Sequence, residues 1–226
     1  MICLCTAPST GYALSHATRK MDVGGNNVNK QLRKLLTAKG FNVDHIVNGD
    51  EVMEEIKKRK CFVAADYAVE LQNKDSPLWK NINVLKYALP DGHELTLSSD
   101  RFECTEIFFR PNLLGGHKVQ KYKSICEMAH ESLLSVNIDL RREIAGQLCV
   151  CGGGSLLNGF TERFGKDLKA TVPLSMKLEI HSKKNRQNAA YIGASILSQL
   201  DFFKESCITA AEYEETGPKI VHRKCF

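Results

Sequence analysis

Three consecutive glycines, Gly152, Gly153 and Gly154, stand between the apolar run 148–151 and a segment with helical spacing. A buried strand that passes through glycines into a helix leaves backbone N–H groups bare, and such groups can approach a phosphate or a nucleobase. A tight strand-to-helix turn without any ligand accounts for the same glycines equally well. The glycine run is therefore a candidate nucleotide contact, with the tight turn as the alternative.

Lysines and arginines offer a second chemistry, the attraction of phosphates. The chain carries 31 Lys+Arg against 26 Asp+Glu, a formal net charge of +5. These basic residues fall in short clusters, among them 57–60 and 183–186, and not in one stripe interleaved with aromatic residues. Because nucleic-acid surfaces are typically built from such stripes, we do not expect nucleic acid as a partner.

The cysteines have the wrong spacing for a zinc site. There are nine of them, and the close pairs Cys3/Cys5 and Cys149/Cys151 are separated by one residue rather than by the two of a zinc knuckle. We therefore expect no metal site and interpret the cysteines as buried free thiols. The first residues show no secretory signal, which indicates a reducing compartment.

The chain is long enough to bury a core. It has 226 residues, of which 43% are hydrophobic and 25% charged, and this suits one large domain or two small ones. Its longest apolar stretches, such as 189–197, fall short of the ~20 residues of a membrane-spanning helix. We expect no membrane insertion.

Hydrophobic spacing predicts helices and strands in alternation, which is typical of α/β or α+β sheet proteins. Asn27 is expected to cap a helix that Gly40 stops, and Asp50 to open a second helix that ends near residue 61. The turn Leu89-Pro90-Asp91-Gly92 predicts a hairpin over 83–97. Further helices are predicted over 100–108, 118–135, 139–147, after the glycine run and over 189–200, with a strand over 176–181.

Several segments, taken in order, resemble the actins and actin-related proteins. They are the C-terminus 214–226 (EETGPKIVHRKCF), the run 191–197 (YIGASIL), the turn 89–92 (LPDG) with Arg101, Phe102 and Cys104, and the stretch Gly11-Tyr12-Ala13-Leu14 with His16, Ala17, Asp22 and Gly25. Together they extend over essentially the whole chain. A narrower likeness to testis-type actin-like proteins rests on residues 149–153 with Gly159, Phe160, Arg163 and Phe164.

The resemblance implies a ribonuclease-H-like α/β fold in two lobes with ATP held between them. It covers the C-terminal portion of the family, so most of the N-terminal lobe and both phosphate loops would be missing, either in a fragment or in a naturally shortened protein. Residues 1–24 and 116–188 would form the inner large subdomain and 25–115 the outer small subdomain. Residues 189–226 would be a tail that belongs to the otherwise absent first lobe.

The resemblance also assigns a vestigial nucleotide site. Gly25 and the glycine run 152–154 match places where the family's backbone lies against the nucleotide, and Lys57 matches a lysine on the adenosine side. Lys58 stands where the family has a carboxylate for the ribose, and a lysine cannot accept a hydrogen bond. If the site is lost, these lysines form a solvated face and the glycines a turn.

Further departures concern the adenine and the catalytic water. Leu157 replaces a tyrosine that stacks on the base, and Gln187 replaces a lysine beside the adenine. Leu4 stands near the position of the family's histidine, and its alkyl side chain cannot orient water. We therefore predict no ATPase activity, no catalytic residue and no cofactor for this chain. ATP with magnesium is expected only if a longer form supplies the phosphate loops.

The late helix matches the family's partner groove through Ile196, Leu197 and Leu200. The alternative is that they are ordinary core residues of a helix. With its partner lobe absent, the tail would leave apolar surface in water, so we expect the isolated chain to need a partner or to aggregate.

Three functions remain open. The leading hypothesis is a divergent actin-like protein, a cytoplasmic structural or adaptor component of a cytoskeletal assembly without ATPase activity, whose partners are actin-family or cytoskeletal proteins. One alternative is a filament-forming, ATP-binding actin seen as a truncated chain. The other is a nuclear actin-related subunit of a chromatin complex.

Overall fold

The computed structural model describes residues 2–3, 13–41, 48–115 and 122–224. The α-helices are α1 (Gly25–Ala38), α2 (Gly49–Lys60), α3 (Tyr67–Asn73), α4 (Pro77–Asn83), α5 (Asp100–Glu103), α6 (Ile125–Leu134), α7 (Ile138–Ala145), α8 (Phe160–Lys169), α9 (Ala189–Ser198), α10 (Asp201–Ser206), α11 (Ala210–Thr216) and α12 (Val221–Lys224). The strands are β1 (Ile2–Cys3), β2 (Arg19–Lys20), β3 (Leu85–Ala88), β4 (Glu94–Leu97), β5 (Leu148–Cys149) and β6 (Ile180–His181). In the described ranges no helix is long and apolar enough to cross a membrane.

Helix α1 forms where the apolar spacing predicts it. Val28, Leu32 and Leu36 recur every four residues and are fully buried. The prediction that Asn27 caps the helix is wrong in position: Gly24 is the cap residue, and the Asn27 side chain accepts a hydrogen bond from the Gly24 N–H at 2.9 Å. Gly40, at φ +88°, stops the helix as predicted, in the left-handed conformation that glycine adopts without strain.

Helix α2 also follows its prediction. Val52, Met53 and Ile56 are buried on its inner face. Acidic residues occupy its first turn and basic residues its last, which complements the helix dipole. It packs against α1, and Arg33 of α1 donates a hydrogen bond to Asp50 of α2 at 2.7 Å.

The predicted hairpin exists but begins later. Strands β3 and β4 pair antiparallel, with Leu85 opposite Leu97, around a turn in which the Gly92 N–H donates to the Leu89 carbonyl at 3.0 Å. Asn83 belongs instead to α4, which sequence reasoning missed. Ser76 caps that helix and Pro77 stands in its first turn, where a proline is already preorganised.

Other predicted elements are shorter than expected. The helix predicted over 118–135 begins at Ile125, because Ser124 and Glu127 form a reciprocal capping box, and residues 116–121 lie outside the described part. The helix predicted over 100–108 divides into α5 and a 3-10 turn at Glu106–Phe108. The strand predicted over 176–181 is only β6, which pairs parallel with β5.

One main core joins elements from both predicted subdomains. It is formed by α1, α2, β4, the 3-10 turn Glu106–Phe108, α6 and α8. The Phe108 and Phe160 rings lie 5.7 Å apart, edge to face. A second cluster surrounds Phe102, whose ring centre lies 5.9 Å from those of Phe62, Tyr67 and Trp79. The subdomain boundaries at 24/25, 115/116 and 188/189 stay predictions.

Candidate functional site

Lys57 and Gly25, two of the residues predicted at the nucleotide site, lie in contact. Helix α2 carries Lys57 on its inner side, where only 7% of the residue is exposed. Its Nζ atom donates to the Gly25 carbonyl at 3.3 Å, across the start of α1. A Cβ atom at Gly25 would lie 3.2 Å from that Nζ, so the glycine leaves just enough room for the ammonium group.

A carboxylate already neutralises this lysine. Glu54 Oε2 lies 2.5 Å from Lys57 Nζ and accepts a hydrogen bond from Asn29 at 2.8 Å. Burial alone would raise the pKa of Glu54, but the hydrogen bonds from Lys57 and Asn29 and the charge of Lys57 outweigh it and lower the pKa to about 2. A buried ammonium is costly unless it is paired, so Glu54 is the group that keeps Lys57 inside. Sequence reasoning missed Glu54, although its i, i+3 spacing to Lys57 could have indicated it.

An open cavity of about 580 Å³ lies beside this pair. Its lining residues come from α1 and α2, and they are Asn26, Asn29, Asp50, Glu51, Glu54, Glu55, Lys58 and Arg59. Four carboxylates face two cations, which repels an anionic ligand. Lys58 is exposed, and its Nζ atom lies 3.3 Å from Glu54 Oε1. Lys57 and Lys58 therefore both pair with Glu54.

The glycine run forms a tight turn, a geometry that fits both the nucleotide contact and the ligand-free alternative, so the contact stays a prediction. Gly152 has φ +92° and donates its N–H to the Arg186 carbonyl at 2.9 Å. Arg186 in turn donates to Ser155, at 2.9 Å to Oγ and 2.6 Å to the carbonyl oxygen. Gly154 lies against the Phe108 ring, 3.5 Å from where a Cβ would stand. Sequence reasoning treated Arg186 only as part of a basic cluster.

The turn is anchored to the segment that follows α2. Phe62 forms a bridge with Asn158, and the Val63 N–H donates to the Asn158 carbonyl at 2.7 Å. Gly159 has φ +79°, and a Cβ there would lie 2.4 Å from the Val63 carbonyl oxygen, so only glycine fits. Among the described residues, however, no hydrogen bond or ion pair joins Lys57 to the run 152–154.

Two of the other departures from the family lie in the described residues. Leu157 is a core residue at 7% exposure, and Gln187 is exposed. Leu4 lies outside the described residues.

The interpretation of the cysteines as buried free thiols is wrong for three of the six whose burial the structure describes. Cys61, Cys104 and Cys126 are buried, whereas Cys149, Cys151 and Cys207 are exposed. In β5, Leu148 packs on the core, and side chains alternate along a strand, so Cys149 points to the opposite, uncovered face.

The predicted groove residues are not core residues. Ile196 is 59% exposed, Leu197 46% and Leu200 43%, and residues 190–200 are exposed throughout. The alternative of an ordinary helix core is therefore wrong. Their role as a partner groove stays a prediction.

A buried ion network joins α8 to the 3-10 turn Glu106–Phe108. Glu106 is fully buried, and Arg163 reaches its two carboxylate oxygens at 3.2 and 3.3 Å. Arg163 also donates to the Ala64 carbonyl at 2.9 Å and to Asp167 at 2.6 Å. Burial raises the pKa of Glu106, although the charge of Arg163 opposes the shift. This network joins α8 to the 3-10 turn and to the segment after α2, and sequence reasoning missed its pairing.

A comparison with protein-family models matches residues 4–226 to the family described as Actin.

Proposed function

Because the chain belongs to the actin family, we propose that it is a structural or adaptor component of a cytoskeletal assembly and that it does not hydrolyse ATP. The observation that carries this proposal is the engagement of Lys57. Its ammonium group is buried, paired with Glu54 at 2.5 Å and hydrogen-bonded to the carbonyl of Gly25. The residue expected to face a nucleotide thus has its charge satisfied within the protein.

A nucleotide that used Lys57 would have to displace Glu54. Breaking a buried pair is costly because it leaves one charge without a partner. The adjacent cavity offers a poor alternative, since its lining carries two more carboxylates than cations. These contacts fit ATP poorly, and the exposed Lys58 offers no acceptor for a ribose hydroxyl.

Catalysis would further need a group that positions water. The resemblance to actins places Leu4 where such a group is expected, and leucine has no polar atom in its side chain. We therefore propose that the chain does not hydrolyse ATP, because the leucine at position 4 cannot hold a water molecule by a hydrogen bond.

The adaptor role is supported by the tail. Helix α9 exposes Tyr191, Ile192, Ile196 and Leu197 along its length, and the exposed Leu200 lies two residues beyond its end. Exposed apolar surface of this kind marks interaction sites in soluble proteins. We propose that this surface binds another actin-family or cytoskeletal protein and that the chain acts in the cytoplasm, at the cytoskeleton.

Calorimetric titration of magnesium–ATP into the full chain tests the nucleotide part. We expect a Kd weaker than about 1 mM, in the range of non-specific small-molecule contacts. Glu54→Gln releases Lys57 and should tighten binding, whereas Glu51→Gln, which removes a carboxylate of the same cavity but leaves the Lys57–Glu54 pair intact, should tighten it less. Micromolar binding by the unaltered chain would contradict the proposal and favour an ATP-binding, filament-forming actin.

A further inference from the structure

Two buried cysteines face each other between α2 and α5. Cys61 follows the last residue of α2, and Cys104 follows the last residue of α5. Cys61 is 5% exposed and Cys104 is fully buried. Their sulfur atoms lie 3.7 Å apart, in van der Waals contact. A disulfide requires about 2.05 Å, so the two sulfurs need to approach by about 1.7 Å.

The backbone around both cysteines is tied together on each side. Arg101 Nε donates to the Lys60 carbonyl at 2.6 Å, and the Phe62 N–H donates to the Arg101 carbonyl at 3.1 Å. The Thr105 hydroxyl donates to the Phe62 carbonyl at 2.7 Å. The neighbours of Cys61 are thus bonded to the neighbours of Cys104. Because these bonds hold the two chain segments side by side, side-chain rotation is the main motion that bond formation needs.

We infer that Cys61 and Cys104 form a site of reversible oxidation, at which a small hydroperoxide converts the two thiols into an intramolecular disulfide. This site is independent of the function proposed above.

The reaction balances with hydrogen peroxide as the oxidant. The Cys61 thiolate attacks one peroxide oxygen, the O–O bond breaks, and the departing hydroxide leaves as water after taking up the thiol's proton. The Cys104 sulfur then attacks the sulfur of the Cys61 sulfenic acid; the S–S bond forms, the S–O bond breaks, and the hydroxyl leaves as water with the Cys104 proton. The two thiols lose two electrons and two protons, and the peroxide becomes two waters.

The surroundings assign the two roles. Cys61 is 5% exposed whereas Cys104 is fully buried, so Cys61 is the sulfur that a small peroxide reaches first. Burial raises the pKa of the Cys104 thiol, so this residue keeps its proton until the second step. Burial also excludes bulky oxidants, whereas Cys149, Cys151 and Cys207 are open to them.

The bond would close a loop that contains α3, α4 and the β3–β4 hairpin. A cross-link of this length restricts the unfolded chain, so the oxidised protein should melt about 5–10 °C higher than the reduced one. Reduction with dithiothreitol should reverse the shift.

The test treats the reduced full chain either with dilute hydrogen peroxide or with a bulky aromatic disulfide. Free thiols are then alkylated in denaturant, and the digested peptides are analysed by mass spectrometry. With peroxide we expect a linked pair of peptides containing Cys61 and Cys104, lighter by two hydrogen atoms, together with the higher melting temperature. With the aromatic disulfide we expect adducts at the exposed cysteines instead.

Cys104→Ala should abolish both the linked peptides and the melting shift, and the exposed-site control Cys207→Ala should keep both. The same peroxide treatment in denaturant should lose the preference for the 61–104 pair, which keeps the test valid if Cys104→Ala does not fold. Peroxide that oxidises Cys149, Cys151 or Cys207 while Cys61 and Cys104 are recovered as free thiols would overturn the inference.

Discussion

The segments 25–168 and 189–224 use apolar residues at similar helical spacing and bury them to very different degrees. In the first, here called the body, Leu32, Phe102 and Phe160 are at most 1% exposed because opposing elements cover them. In the second, here called the tail, Tyr191 is 78% exposed and Ile196 59%. Periodicity therefore tells which face of a helix is apolar, and the opposing element decides whether that face becomes a core.

Contacts within the tail nevertheless join its helices to one another. Lys224 donates to the Cys207 carbonyl at 2.8 Å and pairs with Glu212, and Ile220 is fully buried. Such polar ties contribute little stability in water. The body should thus provide most of the free energy of unfolding, and the tail should respond to a partner.

The largest expected contrast is between two phenylalanines. Phe102→Ala removes a ring that three aromatic side chains contact and should cost about 4 kcal/mol of unfolding free energy. Phe202→Ala removes a ring that is 52% exposed and should cost less than about 1 kcal/mol. Urea denaturation followed by far-UV circular dichroism measures both, since the body and the tail are both largely helical. Equal losses would show that the tail is packed as tightly as the body.

The buried ion network gives the next largest effect. Arg163→Met removes the two hydrogen bonds that Arg163 donates to buried Glu106 and leaves it only the 3.3 Å contact with Arg110, so it should cost about 3 kcal/mol. Lys177→Met removes the exposed partner of Glu179 and should cost at most about 1 kcal/mol. A chemical denaturation series on the two variants checks the difference. A loss below about 1 kcal/mol for Arg163→Met would mean that the buried pair stabilises the fold no more than an exposed pair does.

Two glycines should respond with opposite signs. Gly159→Ala forces a Cβ toward the Val63 carbonyl at positive φ and should cost about 2–3 kcal/mol. Gly193→Ala lies in α9 with open space around it and should stabilise that helix by about 0.5–1 kcal/mol. Thermal unfolding and far-UV circular dichroism measure these changes. A stabilising Gly159→Ala would contradict the described anchor between the turn and the segment after α2.

The smallest expected effect is on acid stability. Because the pKa of Glu54 is lowered to about 2 from 4.5, its ion pair stabilises the folded state above about pH 4.5 and loses that contribution as the pH falls toward 2. Solvent screening reduces this to about 1 kcal/mol, since 38% of the side chain is exposed. Glu54→Gln should flatten this part of the pH profile. An unchanged profile in Glu54→Gln would show that the ion pair between Glu54 and Lys57 does not stabilise the folded state.

The sequence predicted local structure best where a residue's own backbone preference determines the conformation. Gly40 and the turn 89–92 stop or reverse the chain through their own backbone preferences, and both were placed correctly. It failed where partners are distant. Glu106 and Arg163 are separated by 57 positions, and nothing in their local patterns announces that they meet.

The candidate site shows the same division. The family resemblance identified Gly25 and Lys57 as neighbours of a nucleotide, and the structure brings those two residues together. The role of Glu54 depends on which way the Lys57 side chain turns, which only the packing of α2 against α1 decides. The likeness to actins predicted a nucleotide site at these two residues, and that site stays a prediction.

Phosphate release from magnesium–ATP by the purified full chain tests the central claim most directly. The account predicts a rate no higher than that of buffer alone, unchanged by Lys57→Ala. Release above the buffer rate that Lys57→Ala abolishes would contradict it.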